Sequence, residues 1–564
     1  MRKPAVLIIL FMIAVGLAGQ DDQRSLLLDA ITKYGQAEVF FDQPGHDQLA
    51  EISRSISVSH VREGKAYAVL LEHDIDYFLS LNLQFKLVDR AETKSVLSAL
   101  SVAEAMNWDV YPTYFQYDTI MHKFATEYPE ICRVDTIGES MEGRLILALK
   151  ISDNVSVDEN EPEVFYSSTM HGDELAGYVL MLRLADHLLK NSANGGLEQK
   201  LVDSLEIWVN PLSNPDGTYI GGDTILNPIR YNSAGQDLNR GFPDPTTAPF
   251  TIPAENVYMM SFIRERRFVI SANFHSGMEL LNFPWDKDWD ADKIHADSSW
   301  FNYICRKYAD TVHVYSGSGY MNDFIDGVTR GDAWLEIYRS RQDWVTYETQ
   351  GREVTIELDD IKQTGAAQLN VLWDYNYRSL LMYLENAIYG IHGRVTDIDT
   401  ELPVGAKIFI AGHDADSSHV YSDTTTGVYL RLLDQGSYDL VVSADGYNTK
   451  VINNVNVGNG VQTRLDITLQ RTTQNIKDSI NDEILIWPVP ASDYIQVRIP
   501  SYFKGELIVT IASVNGSILK NQELTRAGNE PLYIVISDLP SGIFLCTVRS
   551  RETGERHTGR FIRK

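Results

Sequence analysis

Residues 164–190 read VFYSSTMHGDELAGYVLMLRLADHLLK, and this stretch decides the fold. It opens with apolar and small residues, which is the composition of a buried strand. From Leu175 to Lys190, apolar residues recur at spacings of three and four, which predicts an amphipathic helix. A buried strand that leads directly into a helix is typical of an α/β domain with a mixed sheet. The intervening turn, HGDE at 171–174, lies where such sheets place their ligands.

The same alternation extends from about residue 108 to 388. Further strand-like runs occur at 145–151, 205–209, 268–273 and 353–357. We therefore predict one mixed-sheet α/β domain over residues 108–388. Residues 20–107 predict a small α/β module in front of it. This module is either a pro-segment that assists folding or masks a site, or a plain accessory domain.

Beyond Ile391 the pattern becomes all-β, with short alternating runs separated by turns that contain Gly and Asp. We predict a β-sandwich over residues 389–470. Residues 471–483 are polar and predict a linker, and residues 484–564 predict a second β-sandwich domain.

Length and charge exclude several classes of protein. The chain has 564 residues, too many for one hydrophobic core. Its formal net charge of −28 disfavours nucleic acid and anionic membrane surfaces as partners. Cys132, Cys305 and Cys546 are too few and too far apart for a disulfide framework or a thiolate metal site. We expect them to be buried or incidental, with one disulfide as the alternative.

The first 19 residues predict a cleaved export signal. Arg2 and Lys3 precede an apolar stretch at 6–13, and small residues follow at 16–18. An uncleaved membrane anchor is the alternative. No later apolar run has the length of a membrane span, so we expect a secreted or surface-attached chain without a transmembrane segment.

Three residues form a candidate metal site. His171 and Glu174 lie three positions apart, and His275 follows the apolar run 268–273. Two His and one Glu form a ligand set of catalytic zinc, which keeps its fourth position for water. We predict one zinc ion at this set. The alternatives are a surface turn capped by Glu174 and a core or capping role for His275.

Two further features suggest peptide-bond hydrolysis. Arg230 and the run DLNR at 237–240 combine planar cationic donors with a neutral amide, which suits a peptide's terminal carboxylate. Glu357 interrupts an apolar strand, where a carboxylate near zinc-bound water can act as a general base. The alternatives are a salt-bridged loop and a strand-edge ion pair.

Taken in order, these motifs resemble the zinc metallocarboxypeptidase family, the funnelins. The resemblance covers about residues 108–388 and rests on five motifs: HGDE at 171–174, NPDG at 214–217, R-x9-R ending in DLNRGFPD at 230–244, NFHSG at 273–277 and EVTIEL at 353–358. It implies an exopeptidase that hydrolyses the C-terminal peptide bond, with zinc held by His171, Glu174 and His275.

The resemblance also implies a role for each remaining residue. Arg230 would polarise the scissile carbonyl and hold the developing oxyanion. Asn239 and Arg240 would hold the C-terminal carboxylate of the substrate. Glu357 would activate the attacking water and pass its proton to the leaving amine.

The finer resemblance is to the carboxypeptidase N/E subfamily, whose members carry a transthyretin-like sandwich after the catalytic domain. In that branch an Asp and a Gln help to select C-terminal Lys or Arg. Asp286, at the end of NFPWD (282–286), and Gln342 fall at those places. The alternative for Asp286 is a loop acid among several, since Asp288, Asp290 and Asp292 lie nearby.

One position departs from the family pattern. The family's substrate-capping Tyr usually follows an Ala-Trp pair, but here Ala333-Trp334 is followed by Leu335. Tyr338 is the nearest candidate substitute, and Tyr347 is a second. The departure affects rate and specificity more than reaction type.

Residues 484–564 resemble the C-terminal sorting domain of type IX secretion in Bacteroidota. The resemblance rests on WPVPASD at 487–493, LPSGIF at 539–544 and the basic end Arg563-Lys564. Val489 stands where Asn is usual. The resemblance implies that the secretion machinery is a partner and that the tail is removed or attached at the surface. An ordinary β adhesion module is the alternative.

These observations predict an exported zinc carboxypeptidase that acts on peptide or protein C-termini and prefers Lys or Arg. Two alternatives remain. One is a surface binding protein on a degenerate peptidase fold, and the other is a carboxypeptidase that acts on cell-wall peptides.

Overall fold

The computed structural model describes residues 20–88, 97–245, 248–287, 293–317, 319–472, 484–500, 503–526, 528 and 530–564. The predicted export signal and most of the predicted linker lie outside the described residues, as do Asp288, Asp290 and Asp292. The chain divides after Gln470 into two compact units, which are described separately.

The N-terminal module, residues 20–88, is a four-stranded antiparallel sheet with three helices. Its strands run in the spatial order β2-β3-β1-β4. The elements are α1 (Gln20–Tyr34), β1 (Ala37–Asp42), α2 (His46–Ser55), β2 (Ser57–Arg62), β3 (Lys65–Leu70), α3 (Ile75–Ser80) and β4 (Phe85–Leu87). The small α/β module is as expected, although the sequence pattern did not indicate β2 or α1.

The second domain is built on an eight-stranded mixed sheet, which confirms the predicted fold class. Its strands are β5 (Cys132–Glu139), β6 (Leu145–Ile151), β7 (Glu163–Ser168), β8 (Glu206–Asn210), β9 (Phe268–His275), β10 (Met278–Phe283), β11 (Val328–Arg330) and β12 (Arg352–Asp359). The spatial order is β11-β10-β12-β9-β7-β8-β6-β5. The central strands β8, β7, β9 and β12 are parallel, so their carboxyl ends meet along one edge.

Helices cover this sheet. They are α4 (Val102–Ala105), α5 (Tyr114–Glu127), α6 (Ala176–Asn191), α7 (Leu197–Val202), α8 (Pro215–Thr218), α9 (Ala254–Glu265), α10 (Ser298–Ser316), α11 (Asp323–Asp326), α12 (Gly331–Trp334), α13 (Arg341–Trp344) and α14 (Ala366–Glu385). The predicted amphipathic helix is α6, and most of its residues are buried in the main core.

The third part of the first unit is a β-sandwich of two four-stranded sheets. Its strands are β13 (Gly390–Asp397), β14 (Lys407–Ile410), β15 (Val420–Tyr421), β16 (Val428–Arg431), β17 (Gly436–Ser443), β18 (Lys450–Val457), β19 (Gln462–Arg464) and β20 (Ile467–Leu469). One sheet has the order β15-β14-β17-β18, and in the other β13 pairs with β16, β19 and β20.

A buried ion cluster joins the sandwich to the mixed-sheet domain. Asp297, which precedes α10, accepts two hydrogen bonds from Arg431 of β16, at 2.8 and 2.9 Å. It also accepts one from Arg352, the first residue of β12, at 2.5 Å. All three side chains are buried. Burial opposes the charge on Asp297, but Arg431 and Arg352 hold the pKa of its carboxyl well below the usual range.

The second unit contains two antiparallel sheets around its own core, as the pattern predicted. The strands are β21 (Leu485–Trp487), β22 (Tyr494–Arg498), β23 (Gly505–Ser513), β24 (Ile518–Arg526), β25 (Leu532–Val535), β26 (Gly542–Ser550) and β27 (Arg556–Arg563). The sheet orders are β21-β22-β25 and β24-β23-β26-β27.

The three cysteines are free and buried, as expected. Burial raises the pKa of the Cys132 and Cys546 thiols to about 12. Within the described residues, none of the helices combines the length and the apolar character needed to span a bilayer.

Candidate active site

His171, Glu174 and His275 converge at the carboxyl edge of the mixed sheet. His171 and Glu174 lie in the loop between β7 and α6, and His275 is the last residue of β9, which neighbours β7. The Glu174 carboxylate lies 2.9 Å from Nδ1 of His171 and 2.7 Å from Nδ1 of His275. The two Nδ1 atoms are 3.1 Å apart, and all three side chains are buried. The sequence prediction that these residues meet is thus matched by the geometry.

The donor set suits a zinc ion. One ligand atom from each of the three residues lies within 4.8 Å of the others. Two imidazole nitrogens and a carboxylate directed at one point are the donors of catalytic zinc sites. The outer nitrogen of each imidazole has its own partner. His171 Nε2 lies 3.0 Å from Asp237 Oδ1, and His275 Nε2 lies 2.8 Å from the Asn273 amide. Such outer partners fix the ring orientation of metal-binding His residues.

The protonation states also suit metal binding. Burial lowers the pKa of His275 to about 4, so its imidazole is neutral at pH 7. Burial opposes the charge on Glu174, but the adjacent His171 and His275 hold the pKa of its carboxyl well below the usual range. A neutral imidazole and an ionised carboxylate are the forms that coordinate zinc.

The loop that carries His171 is held by the NPDG turn. A Cβ on Gly172 would lie 2.3 Å from the carbonyl carbon of Gly217, so only glycine permits this close approach. The Asn214 side chain caps α8 by accepting a hydrogen bond from the Gly217 amide at 2.9 Å. Its amide nitrogen donates to the Met170 carbonyl at 3.2 Å. The turn therefore positions the loop that carries His171 and Glu174.

Arg230 directs its guanidinium at the three-residue cluster. Its Nη1 lies 3.1 Å from Glu174 Oε1 and 3.1 Å from His171 Nδ1. Its Nε donates to Asp237 Oδ2 at 2.9 Å and to Ser57 Oγ at 2.7 Å. The side chain is buried, so its positive charge is fixed beside the three-residue cluster.

Asn239 and Arg240 lie in a short 3₁₀ turn, Leu238–Arg240, and line the same pocket. Asp237 caps this turn by accepting a hydrogen bond from the Asn239 amide at 2.9 Å. The Arg240 guanidinium donates to the carbonyl oxygens of Asn239 at 3.1 Å and Val58 at 2.8 Å. Two cationic side chains, Arg230 and Arg240, therefore face one pocket.

Glu357 lies on β12 and lines the pocket beside Glu174. Glu357 pairs with His275 in the parallel register of β12 and β9. The side chain is buried, and its Oε2 has no hydrogen-bond partner within the described part of the chain. Burial, and then the charge of Glu174, raise the pKa of the Glu357 carboxyl well above its usual range. A buried carboxyl of this kind is a candidate proton carrier.

Asp286 and Gln342 meet at another wall of the pocket. Asp286 Oδ1 accepts hydrogen bonds from Gln342 Nε2 and from Asn282 Nδ2, each at 2.9 Å. Burial raises the pKa of the Asp286 carboxyl to about 7. Asp286 lines the pocket together with Arg240 and Glu357.

The two candidate tyrosines lie elsewhere. Tyr338 lines a neighbouring cleft, where its hydroxyl donates to Glu336 Oε2 at 2.6 Å and accepts a hydrogen bond from Arg54. Neither Tyr338 nor Tyr347 is among the described residues that line the pocket around Glu174. Leu335, at the place of the family's Tyr, is 2% exposed and packs in the core of the N-terminal module.

The structure adds residues that contact or line the pocket and that the sequence argument did not assign. Asp237 was part of a quoted motif but received no role, although the preference of metal-binding His for carboxylate partners was a usable signal. Ser57, Ser59 and His60 come from β2 of the N-terminal module, and the last two line the pocket directly. Nothing in the sequence around them indicated this.

Three family models match successive parts of the chain. A family model described as zinc carboxypeptidase matches residues 117–379. A model described as a carboxypeptidase regulatory-like domain matches residues 390–470. A third, described as a secretion system C-terminal sorting domain, matches residues 485–563.

Several known proteins are similar to this chain. Carboxypeptidase SOL1 of Arabidopsis thaliana is 32% identical over 351 residues, which cover 60% of this chain and 68% of the relative. Carboxypeptidase D of Homo sapiens is 33% identical over 407 residues, which cover 68% of this chain and 29% of the relative. The chain thus spans less than a third of the length of that carboxypeptidase D.

The crystal structure of carboxypeptidase A from Helicoverpa armigera is similar in fold. It aligns with a TM-score of 0.51 at 19% sequence identity, over 63% of this chain and 97% of the other.

Proposed function

This chain belongs to the zinc carboxypeptidase family, and we propose that it is an exported metallocarboxypeptidase that hydrolyses the C-terminal peptide bond of peptides or proteins. The observation that carries the proposal is the convergence of His171, Glu174 and His275, with their Nδ1 and carboxylate atoms 2.7 to 3.1 Å apart. Glu357 and Arg230 line the same pocket.

His171, Glu174 and His275 would hold the zinc ion. When bound, zinc supplies a Lewis acid for the scissile carbonyl and lowers the pKa of the attacking water. Glu357 accepts the proton that this water loses and then delivers it to the leaving amine. Burial raises the pKa of this carboxyl well above its usual range, which favours its holding the proton between the two transfers.

Arg230 and Arg240 bind different oxygen atoms of the substrate. Arg230, whose Nη1 already faces the metal-binding group, stabilises the negative charge that develops on the carbonyl oxygen. Such a fixed donor contributes about 2.7–4 kcal/mol to transition-state stabilisation. Arg240 and Asn239 bind the terminal carboxylate, and this contact restricts cleavage to the last peptide bond.

Asp286 would select Lys or Arg as the released residue. Its carboxylate lies in the pocket with Gln342 donating to one oxygen, which supports an orientation fixed for a cationic side chain. A buried carboxylate that meets a cation forms a charge-assisted hydrogen bond. A neutral side chain would leave that carboxylate unpaired, which is costly.

Tyr338 remains our candidate for the substrate-capping residue. It lies in the cleft that Arg240 also lines, so the two side chains border one continuous region. In the present structure its hydroxyl is held by Glu336 and Arg54. Capping would require the Arg54 contact to break.

Export is supported by the sorting-domain match over residues 485–563. The proposed export signal, residues 1–19, would direct the first membrane crossing. The secretion machinery would then recognise the C-terminal domain. The product would be a secreted or surface-attached enzyme.

A panel of N-acylated dipeptides that end in Arg, Lys or Phe tests the proposal. We expect release of the last residue, loss of release with a chelator, and recovery when zinc is added back.

One observation favours a second candidate function: Leu335 stands where the family has its substrate-capping Tyr. This candidate is a binding protein on the same fold. That candidate predicts peptide binding with no chelator-sensitive release. Including cell-wall peptides with free carboxylates in the panel separates the substrate classes.

A further inference from the structure

Three buried polar side chains lie on the central strands of the mixed sheet, each four positions before a residue of the candidate active site. They are Ser167 on β7, Ser271 on β9 and Glu353 on β12. The corresponding residues of the site are His171, His275 and Glu357. Within a strand, side chains four positions apart share a face of the sheet and are separated by roughly 13 Å. On β9 and β12 the polar side chains therefore lie on the same face as the site, further from the carboxyl edge.

The Arg341 guanidinium connects these three side chains. Its Nη2 donates to Glu353 Oε2 at 2.9 Å, and its Nη1 donates to the Ser167 hydroxyl oxygen. The Ser271 hydroxyl donates to the same Glu353 oxygen at 2.8 Å. The guanidinium also lies against the Phe165 ring, with Cζ 5.0 Å from the ring centroid. One side chain thus contacts β7 and β12 directly, and β9 through Glu353.

The short helix that begins with Arg341, α13, contacts two residues proposed to bind the substrate. The backbone amide of Arg341 donates to Asn239 Oδ1 at 3.0 Å. Gln342 Nε2 donates to Asp286 Oδ1 at 2.9 Å, and Asp343 Oδ1 accepts a hydrogen bond from the Asp286 amide at 2.9 Å. Because the Asn239 amide oxygen faces α13, its NH₂ group, the donor that a carboxylate needs, is turned the opposite way. The helix therefore orients both Asn239 and Asp286.

The Arg341–Glu353 ion pair is a weak source of stability. Both side chains are 0% exposed, and within the described part of the chain Arg341 Nε and Glu353 Oε1 have no hydrogen-bond partner. Burial lowers the pKa of Arg341 and raises the pKa of Glu353, so it opposes the charge on each group. Replacing such a pair by uncharged side chains is often neutral or stabilising. What the pair does provide is a fixed connection between α13 and the strands beneath it.

We propose that Arg341 is a positioning residue, which anchors α13 to the strands that lead to the proposed metal ligands and proton carrier. Through α13, it sets where Asn239 and Asp286 meet the substrate. The inference rests on the recognition roles that the proposed function gives to these two residues. Arg341 is not among the described residues that line the pocket, so its effect passes entirely through its neighbours. A misplacement of about 1 Å in such groups can cost about 10²-fold in rate.

The first test measures the anchoring itself, in the full chain. The main variant combines Arg341→Met with Glu353→Gln, which removes both charges and keeps the approximate length of each side chain. Hydrogen exchange, followed by mass spectrometry at single-residue resolution, reports on the backbone amides of residues 341 and 286. The matched control is Lys123→Met with Glu127→Gln, because that pair lies at the surface on α5.

We expect both amides to exchange at least about tenfold faster in the main variant, because loss of the anchor lets α13 open locally. The amides of the central strand β12 should exchange as in the parent chain, and the control should match the parent at every position. Parent-like exchange of both amides in the main variant overturns the anchoring role.

The second test measures recognition, in chains that also carry Glu357→Gln so that bound peptide is not hydrolysed. The probes are pentapeptides that end in Arg or Phe, each with a free carboxylate or a C-terminal amide, and calorimetry gives their Kd values. The preference for free acid over amide reports on Asn239, and the preference for Arg over Phe reports on Asp286. We expect both preferences to fall at least about tenfold in the main variant. A general loss of affinity that leaves both preferences unchanged overturns the proposal.

Two single variants keep the test decisive if the main variant does not fold. Arg341→Lys retains the positive charge but lacks the planar fork that reaches two partners at once. Ser167→Ala removes one of those partners and leaves the ion pair with Glu353 intact. We expect both variants to show preferences between those of the parent and the main variant. Parent-like preferences and parent-like exchange in both single variants overturn the proposal.

Turnover of the chain with intact Glu357 separates this inference from the proposed function. If the parent hydrolyses the dipeptide panel and the Arg341 variants keep its preferences, the enzyme stands and the positioning role is wrong. If the parent neither hydrolyses the panel nor binds the peptides, the proposed function is wrong. Hydrogen exchange then still decides whether Arg341 holds α13 in place.

Discussion

Glu357 and His275 occupy paired positions on the neighbouring parallel strands β12 and β9. Both side chains are therefore delivered to the same point at the carboxyl edge of the sheet, one as the proposed metal ligand and one as the proposed proton carrier. The pairing fixes their separation through backbone hydrogen bonds rather than through a flexible loop. Because the two proposed roles belong to different side chains, metal binding and proton transfer can be tested by separate substitutions.

Glu357→Gln should retain zinc and lose turnover by about 10²–10⁴-fold, the usual contribution of a general base. The amide keeps the shape of the side chain but cannot accept the proton. Dipeptide hydrolysis and metal analysis on the same preparation check this. Glu348→Gln, on the surface beside Arg264, is the control and should behave like the parent chain. Undiminished turnover in the Glu357 variant would remove that residue from the mechanism.

Asp237→Ala should weaken zinc binding by about 10–100-fold, the usual cost of removing an outer partner of a metal ligand. The carboxylate holds His171 Nε2 at 3.0 Å and so orients its Nδ1 toward the metal. Competition against a chelator of known affinity gives the zinc Kd. Asp237→Asn keeps an acceptor oxygen, so this variant should lose less zinc affinity than Asp237→Ala. Parent-like affinity in the Ala variant would show that His171 needs no such support.

Asp286→Asn should reduce the ratio of kcat/KM for C-terminal Arg over C-terminal Phe. Hydrogen bonds to charged groups contribute about 1.5–3 kcal/mol, which corresponds to roughly a 10–150-fold change. Matched Arg and Phe dipeptides give the ratio. Asp244→Asn is the control, because Asp244 contacts Lys287 rather than the pocket. The same ratio in parent and Asp286 variant refutes the selectivity role.

The Arg/Phe preference should also depend on pH. The pKa of Asp286 is raised to about 7 by burial, so the neutral carboxyl predominates below that pH and the carboxylate above it. Only the carboxylate attracts a cationic side chain, and the preference should therefore rise between roughly pH 6 and pH 8. Taking the ratio cancels the titration of groups that serve both substrates. A flat profile would show that Asp286 does not face the cation.

Asp297→Asn should lower the free energy of unfolding by about 3–5 kcal/mol, because it leaves the buried Arg352 without its ion-pair partner, while Arg431 keeps Asp414. Denaturation in guanidinium chloride measures the loss. Asp466→Asn, an exposed partner of Arg464, should change stability by less than about 1 kcal/mol. A small effect of Asp297→Asn would mean that water reaches the cluster.

Much of the fold followed from local pattern. The buried runs that became β6, β7, β8, β9 and β12, and the periodicity of α6, were readable because burial on both faces leaves long apolar stretches. The meeting of His171, Glu174 and His275 was also predictable, since the carboxyl ends of neighbouring parallel strands share an edge.

Which residues of the N-terminal module reach the pocket was not predictable. Strand β2, SVSHVR at 57–62, is short and polar, and it showed neither a clear apolar alternation nor a catalytic residue pattern. Its Val58 carbonyl accepts a hydrogen bond from Arg240, and a carbonyl is present at every residue, so the sequence carries no signal for this contact. Likewise, Asp297, Arg352 and Arg431 are far apart in sequence, so only the tertiary structure reveals that they form ion pairs.

The Asp297 cluster sets a lower limit on the length of a usable enzyme. A chain cut at residue 388 would discard Arg431 and uncover Arg352, the side chain that begins the strand bearing the proton carrier. The sandwich therefore contributes to the structure of the mixed-sheet domain, and its removal would break the buried ion cluster. Anyone who trims this protein for biotechnology should keep everything to residue 470.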